Sequence, residues 1–260
     1  MSAVIKAQEA RPVRDQVSAE EWQTRQELAA CYRLAALWGW TDHIYTHFSA
    51  RVPGRDEHFL INAFGLTFGE VTASNLVKVD LAGTVLLDAT GRGHNQAGYV
   101  IHSAIHGARP DIKAVLHTHT TTGAAVSAQR DGLLMISQHA ARYYQRVAYH
   151  DYEGFALNLD EQARLVRDLG DKRVLVLRNH GLLTAGRSVG EALQELYFLE
   201  RACAIQVAAL AGGVPLVVPA EAALVQAAQT YERASGGSYT TRNWEAFVRE
   251  LDARDTSYRN

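Results

Sequence analysis

The sequence predicts one layered domain that mixes strands and helices, of α/β or α+β class. Three observations predict it. The 260 residues are 47% hydrophobic, enough to bury one sizeable core. Short apolar or alternating runs, which read as strands, are interleaved with stretches of helical periodicity. Glycine and proline punctuate the ends of these runs, and no internal repeat or low-complexity tract interrupts the pattern.

Residues 1–17 read as a polar N-terminal arm. From Ser18, "SAEEWQTRQELAACYRLAALWGW" opens on an N-cap residue with acids in the first turn, and Leu28, Cys31, Tyr32, Leu34, Ala35 and Trp38 share one apolar face before Gly39 stops the helix. "THFSARVPG" alternates as a strand and turns at Pro53-Gly54. "HFLINAFG" and "LVKVDLAGTVLL" continue as short strands broken at Gly65 and Gly83. "AGYVIHSAIHGARPD" is a helix ended near Arg109 by Pro110. "KAVLHTHT" is a strand, "TGAAVSAQ" the helix after it, and "RVAYHDY" another strand. "DEQARLVRDLG" is an amphipathic helix stopped at Gly170, and "RVLVLRNHG" a buried strand ending in a turn. "SVGEALQELYFLERACAIQVAALAGG" is a long helix ending at Gly212-Gly213; its stripe of Leu193, Leu196, Tyr197, Leu199, Ala204 and Val207 reads as core or subunit interface. The tail from Val214 reads as helix plus polar segment.

A net charge of -2 gives no basic surplus for a phosphate backbone or an anionic membrane, so neither nucleic acid nor membrane is expected as a partner. No uncharged apolar stretch approaches roughly 18 residues, and the first residues lack the apolar centre of a signal peptide. Cys31 and Cys203 lie far apart in apolar helical stretches and read as buried free thiols. A cytoplasmic protein is expected.

The chemistry concentrates in histidines. In a strand, positions i and i+2 share a face, so His117 and His119 project side by side and suit one divalent ion. His180, just past a second apolar strand and before Gly181, supplies a candidate third ligand. His102 and His106 share a helical face, and His102 is expected near the site as a supporting group or proton carrier. His139 follows an apolar, strand-like run. His43, His47, His58, His94 and His150 show no pairing geometry. Phe64, Phe68, Tyr143, Tyr144 and Tyr152 suit either a flat apolar ligand or ordinary core packing. The hydrolase elbow G-x-S-x-G and paired CxxC motifs are absent, and "GRGHNQAG" matches no phosphate-binding loop.

From about Glu27 to Ala211 the chain resembles the class II aldolase and adducin N-terminal family, on "THFSARVPG", "INAFGLTFGEVTASNLVKVD", "YVIHSAIHGARPDIKAVLHTHT", "GAAVSAQRDGLL", "YHDYEG" and "LRNHGLLTAGRSVGEAL". The resemblance implies a three-layer αβα fold around a mixed, largely antiparallel sheet. It makes residues 18–213 the metal-binding domain and 214–260 an extension packed on that domain or on a neighbouring subunit. It gives His117, His119 and His180 the role of metal ligands, with zinc first and manganese, cobalt or iron as alternatives. It implies a homotetramer with sites near subunit interfaces. The aldolases carry an acid/base glutamate four residues before the histidine matching His102; here Gly98 stands there, and Gln96 and Ala97 replace serines that hold a substrate phosphate. A tyrosine that the aldolases lend across the interface falls near Gln138 and His139. The expected catalytic set is therefore His102, His139 and Gln138, with Asn62, Gly65 and Tyr144 binding substrate.

Three functions follow. The first is a metal-dependent lyase, an aldolase or decarboxylase, acting on a non-phosphorylated hydroxy- or keto-carboxylate; some relatives decarboxylate hydroxylated aromatic carboxylates. The second is an iron oxygenase on the same scaffold, as assigned to relatives in aminocoumarin biosynthesis. The third is an adducin-like interaction module without chemistry.

Overall fold

Ser18 stands in extended geometry ahead of α1 (Ala19–Leu37), and its hydroxyl accepts from the Glu21 amide at 3.1 Å, satisfying one of the amides a helix start leaves free. Gly39, at a φ of 74°, lets the chain leave just past the helix end as expected. The structure, a computed structural model, describes residues 11–155 and 158–260. Most of the expected N-terminal arm lies outside them; within it, Val13–Gln16 form a single 3-10 turn whose Val13 packs with Trp22.

Eight strands form one sheet: β1 (His47–Arg51), β2 (His58–Asn62), β3 (Leu76–Asp80), β4 (Val85–Leu87), β5 (Ala114–Thr118), β6 (Val147–His150), β7 (Val174–Leu177) and β8 (Gly181–Gly186). Their order is β4-β3-β2-β1-β5-β8-β7-β6, antiparallel throughout except for β6 and β7. The remaining helices are α2 (Gln96–Ala108), α3 (Thr121–Ser127), α4 (Gln138–Ala141), α5 (Glu161–Leu169), α6 (Val189–Ala211), α7 (Glu221–Ala234) and α8 (Ser238–Asp252).

The two-residue period of β5 divides the core. Leu116 joins Leu28, Phe48 and Leu196 beneath α1 and α6, while Val115 joins Ile101, Ile105 and Leu165 beneath α2 and α5. Helices thus cover both faces, giving the expected three layers. Strands β1, β5 and β8 are buried at every residue, as central strands covered on both sides must be. Phe247 and Leu251 of α8 and Tyr258 fill the core beneath α1. Among the described residues no helix is long and apolar enough to cross a membrane.

Two departures from the sequence pattern matter. The apolar run before His139 makes no strand: its amides are taken by side chains, Leu133 N donating to Tyr149 Oη (3.1 Å) and Leu134 N to Gln206 Oε1 (2.7 Å). And "GLLTAG", which shows no strand pattern of its own, is β8, filling the gap between β5 and β7.

Candidate metal centre and its cleft

His117 is the next-to-last residue of β5, on the face toward α2, His119 follows just beyond the strand, and His180 arrives from the tight turn between β7 and β8. That turn is over-determined. Asn179 sits at a φ of 54°, its amide donates to the Ser127 carbonyl, and the His180 amide donates to Ser127 Oγ at 3.2 Å. Gly181 admits the approach of β5, because a Cβ there would run into the Thr118 carbonyl. The three rings converge through Nε2, at 2.8 Å from His117 to His119 and 2.9 Å from His119 to His180.

The outer nitrogens decide what those Nε2 atoms can do. His117 Nδ1–H donates to the Leu182 carbonyl at 2.8 Å, and His119 Nδ1–H donates to Asp42 Oδ2 at 3.0 Å. These two bonds turn the Nδ1–H outward, and in the neutral tautomer they select, Nε2 is a bare lone pair. Burial, reinforced by the neighbouring imidazoles, pushes His117 well below the ordinary histidine range and His180 down to about 4. Neutral lone pairs crowded together repel unless a cation lies among them, so this donor set fits a metal ion. The triad is one that can hold a metal ion, as the sequence led one to expect.

Beside it lies a residue the sequence pattern missed. His47 opens β1 directly opposite His117, with ring centroids 5.1 Å apart. Its Nδ1 meets His102 Nε2 at 2.8 Å; Ser49 Oγ in turn contacts His102 Nδ1 and lies 2.8 Å from His106 Nε2. His47 and His102 are held neutral by burial first and then by neighbouring imidazoles, and His106 falls to about 3 for the same first reason. A Cβ on Gly98 would lie 2.6 Å from His47 Cδ2. The missing side chain at position 98 is thus what admits the His47 ring.

These groups open on a cleft of about 780 Å³. Tyr45, Phe64, Tyr152 and Phe155 supply apolar walls, with Asp42, His47, His119 and His180 at the metal end. Among the described residues no lysine or arginine lines it. Thr46, next to His47, is a β-branched residue at a φ of 68°, and His43 sits at 52°, so left-handed backbone clusters at this mouth.

The expected catalytic and substrate-binding residues do not line the cleft themselves. His102 is fully buried behind His47 and does not line the cleft. Asn62 is buried with Oδ1 accepting from Tyr32 Oη at 2.9 Å. Gly65, at a φ of 89°, turns the chain after Phe64. Gln138 and His139 begin α4, where Gln138 borders a separate groove with Arg142 and Tyr231. Tyr144 donates its hydroxyl to Glu221 Oε1 on α7 at 2.9 Å. Phe68 and Tyr143 are core residues.

Comparison with known proteins agrees with this geometry. A crystal structure of an aldolase II superfamily protein from Pseudomonas syringae is 61% identical, covers 95% of this chain and 99% of its own, and superposes with a TM-score of 0.93. The L-fuculose 1-phosphate aldolase from Glaciozyma antarctica is 29% identical over 93% of this chain and 94% of its own, with a TM-score of 0.80. Alpha-adducin from Rattus norvegicus is 51% identical over 189 residues, which are 72% of this chain and 26% of that protein. The family description "Class II Aldolase and Adducin N-terminal domain" matches residues 26–207. The chain belongs to the class II aldolase and adducin N-terminal domain family.

Proposed function

We propose that the chain is a divalent-metal-dependent carbon–carbon lyase, an aldolase or decarboxylase, acting on a non-phosphorylated hydroxy- or keto-carboxylate with a flat, apolar body. The carrying observation is the convergence of three histidine Nε2 atoms, two of them turned inward by outward Nδ1 hydrogen bonds, at the end of an aromatic cleft whose described lining holds no cationic side chain. His117, His119 and His180 would hold the ion, zinc in the first place. A bound divalent ion supplies Lewis-acid polarisation of a chelated carbonyl or carboxylate.

The chain's own residues do the rest. Tyr45, Phe64, Tyr152 and Phe155 offer apolar surface to the substrate body. Without lysine or arginine among the described lining residues, a phosphate group has no cationic side chain to pair with there. His47 Nε2 has no hydrogen-bond partner among the described residues, while Nδ1 is fixed by His102, so the ring is oriented to exchange a proton or a hydrogen bond with substrate at Nε2. Decarboxylation suits this set, because the carbon–carboxylate bond breaks with its electron pair staying on the substrate and carbon dioxide leaving, so no base is needed. The carbon then takes its proton from water, beside His47.

Gln138, His139 and Tyr144 stand outside their own cleft, so a role for them requires a neighbouring subunit. A cytoplasmic homotetramer with clefts near subunit boundaries completes this reading, and sedimentation showing a monomer would remove those three residues from it. The direct test is metal analysis of protein purified without added metal, joined to a screen of hydroxyaryl carboxylates and keto acids for carbon dioxide or aldehyde release. About one zinc, manganese or cobalt ion per chain, lost in His117→Ala, is expected. Iron with oxygen consumption would transfer the site to oxygenase chemistry. The 51% identity to alpha-adducin favours a second reading as an interaction module; absence of metal together with an inert screen would leave that one standing.

A further inference from the structure

We propose that Glu200 is the positioning residue of the metal centre, its buried carboxylate clamping the two threonines that flank His119. The inference rests on the reading of His117, His119 and His180 as a metal centre. Strand alternation carries the argument. His117 faces α2, so Thr118 faces the opposite layer, where α6 lies. Thr118 Oγ1 donates to Glu200 Oε1 at 2.5 Å and Thr120 Oγ1 donates to Glu200 Oε2 at 2.6 Å. One planar group thus holds the backbone on both sides of His119. Thr120 adds a second anchor, accepting from the Gly123 amide at 3.0 Å as the N-cap of α3.

Glu200 is itself enclosed: it is 2% exposed, on a helix whose Leu196, Leu199 and Ala202 are also buried. No cationic side chain contacts its carboxylate among the described residues. A buried acid without a cation is an unfavourable way merely to fasten a loop to a helix. What it provides is two short, directional hydrogen bonds from a rigid fork. With both hydroxyls held, the backbone is restrained on either side of His119, and its ring is kept between Asp42 and the other two ligands. Glu200 touches neither substrate nor metal; it acts through the segment it holds.

The test measures zinc affinity by competition with a chromophoric chelator, alongside thermal melting of the metal-free protein. The variants are Glu200→Ala, Glu200→Gln and the paired Thr118→Val/Thr120→Val. Glu200→Ala and the valine pair are expected to weaken zinc binding by about 10- to 100-fold and to alter the absorption bands of the cobalt-substituted site. Glu200→Gln keeps an acceptor for one threonine and a donor for the other, and should recover most of the affinity. Should Glu200→Ala fail to fold, the valine pair, nearly isosteric, gives the answer. Zinc affinity within about two-fold of the parent in the folded valine pair, whatever its melting point, would overturn the positioning role while leaving the metal centre intact. A parent protein that takes up no zinc overturns the metal centre, and this inference with it.

Discussion

At the scale of single residues, the exchange between positions 98 and 47 is the sharpest feature. Gly98 has no side chain, and His47 fills the space one would occupy. In Gly98→Ala the new methyl must displace the ring from His102. Turnover on whichever carboxylate the screen identifies should fall by about 100-fold or more, with metal content unchanged and stability reduced by about 1–3 kcal/mol. Full turnover in that variant would take His47 out of the reaction. The histidines also show what a sequence can and cannot disclose. His117 and His119 announce themselves by a two-residue spacing, and His180 by its place after an apolar strand. His47 carries no such mark. Its partners are a strand and a helix far along the chain, and only the β1–β5 register brings them together. Glu200 is silent for the same reason, its threonines being some 80 residues away.

At the scale of elements, α6 deserves separate measurement because it carries two buried acids. Glu195 is completely buried with neither carboxylate oxygen hydrogen-bonded, and its nearest cation, Arg146, stands 3.9 Å away. Burial raises it to about 7 against an ordinary value of 4.5, with Arg146 and Arg173 pulling the other way. Glu200 is likewise raised to about 7 by burial, opposed by its two threonines. The folded chain therefore holds protons that the unfolded chain releases from about pH 4.5 upward. Each acid makes the fold less stable as pH climbs through that window to about 7. Urea titrations of Glu195→Gln at pH 5 and pH 8 should show a smaller drop than the parent, by on the order of 3 kcal/mol, with Glu200 retaining its own share. Equal drops in both proteins would mean that Glu195 is ionised throughout. The strands were mostly legible from alternation and glycine punctuation. The exceptions were β8, whose short run follows directly on a turn, and the run before His139, whose amides are satisfied by Tyr149 and Gln206 rather than by a neighbouring strand.

At the scale of the whole molecule, the layered architecture follows from central strands that are buried on both faces, and the mixture of strands and helices behind it was readable from composition and period. The cleft was not, since its walls come from the segments after α1, after β2 and after β6. A bound ion ties two of the most central strands and should report on the entire fold. With zinc at about a thousandfold over its dissociation constant, the stabilisation is about 4 kcal/mol, so chelation should lower the melting temperature by on the order of 10 °C. His117→Ala should melt at the same temperature with or without chelator. A parent protein indifferent to chelation would show that the site contributes nothing to stability.

The separation of the ligands along the chain has a kinetic consequence. His119 and His180 lie 61 positions apart and meet only when β8 has inserted beside β5. In an unfolded chain His180 lies far from the His117–His119 pair, so metal would not assemble this site before the sheet closes; it would seal a sheet already closed. Refolding rates should then be indifferent to zinc while unfolding rates slow in its presence, and the moment of metal capture would time the insertion of the last central strand.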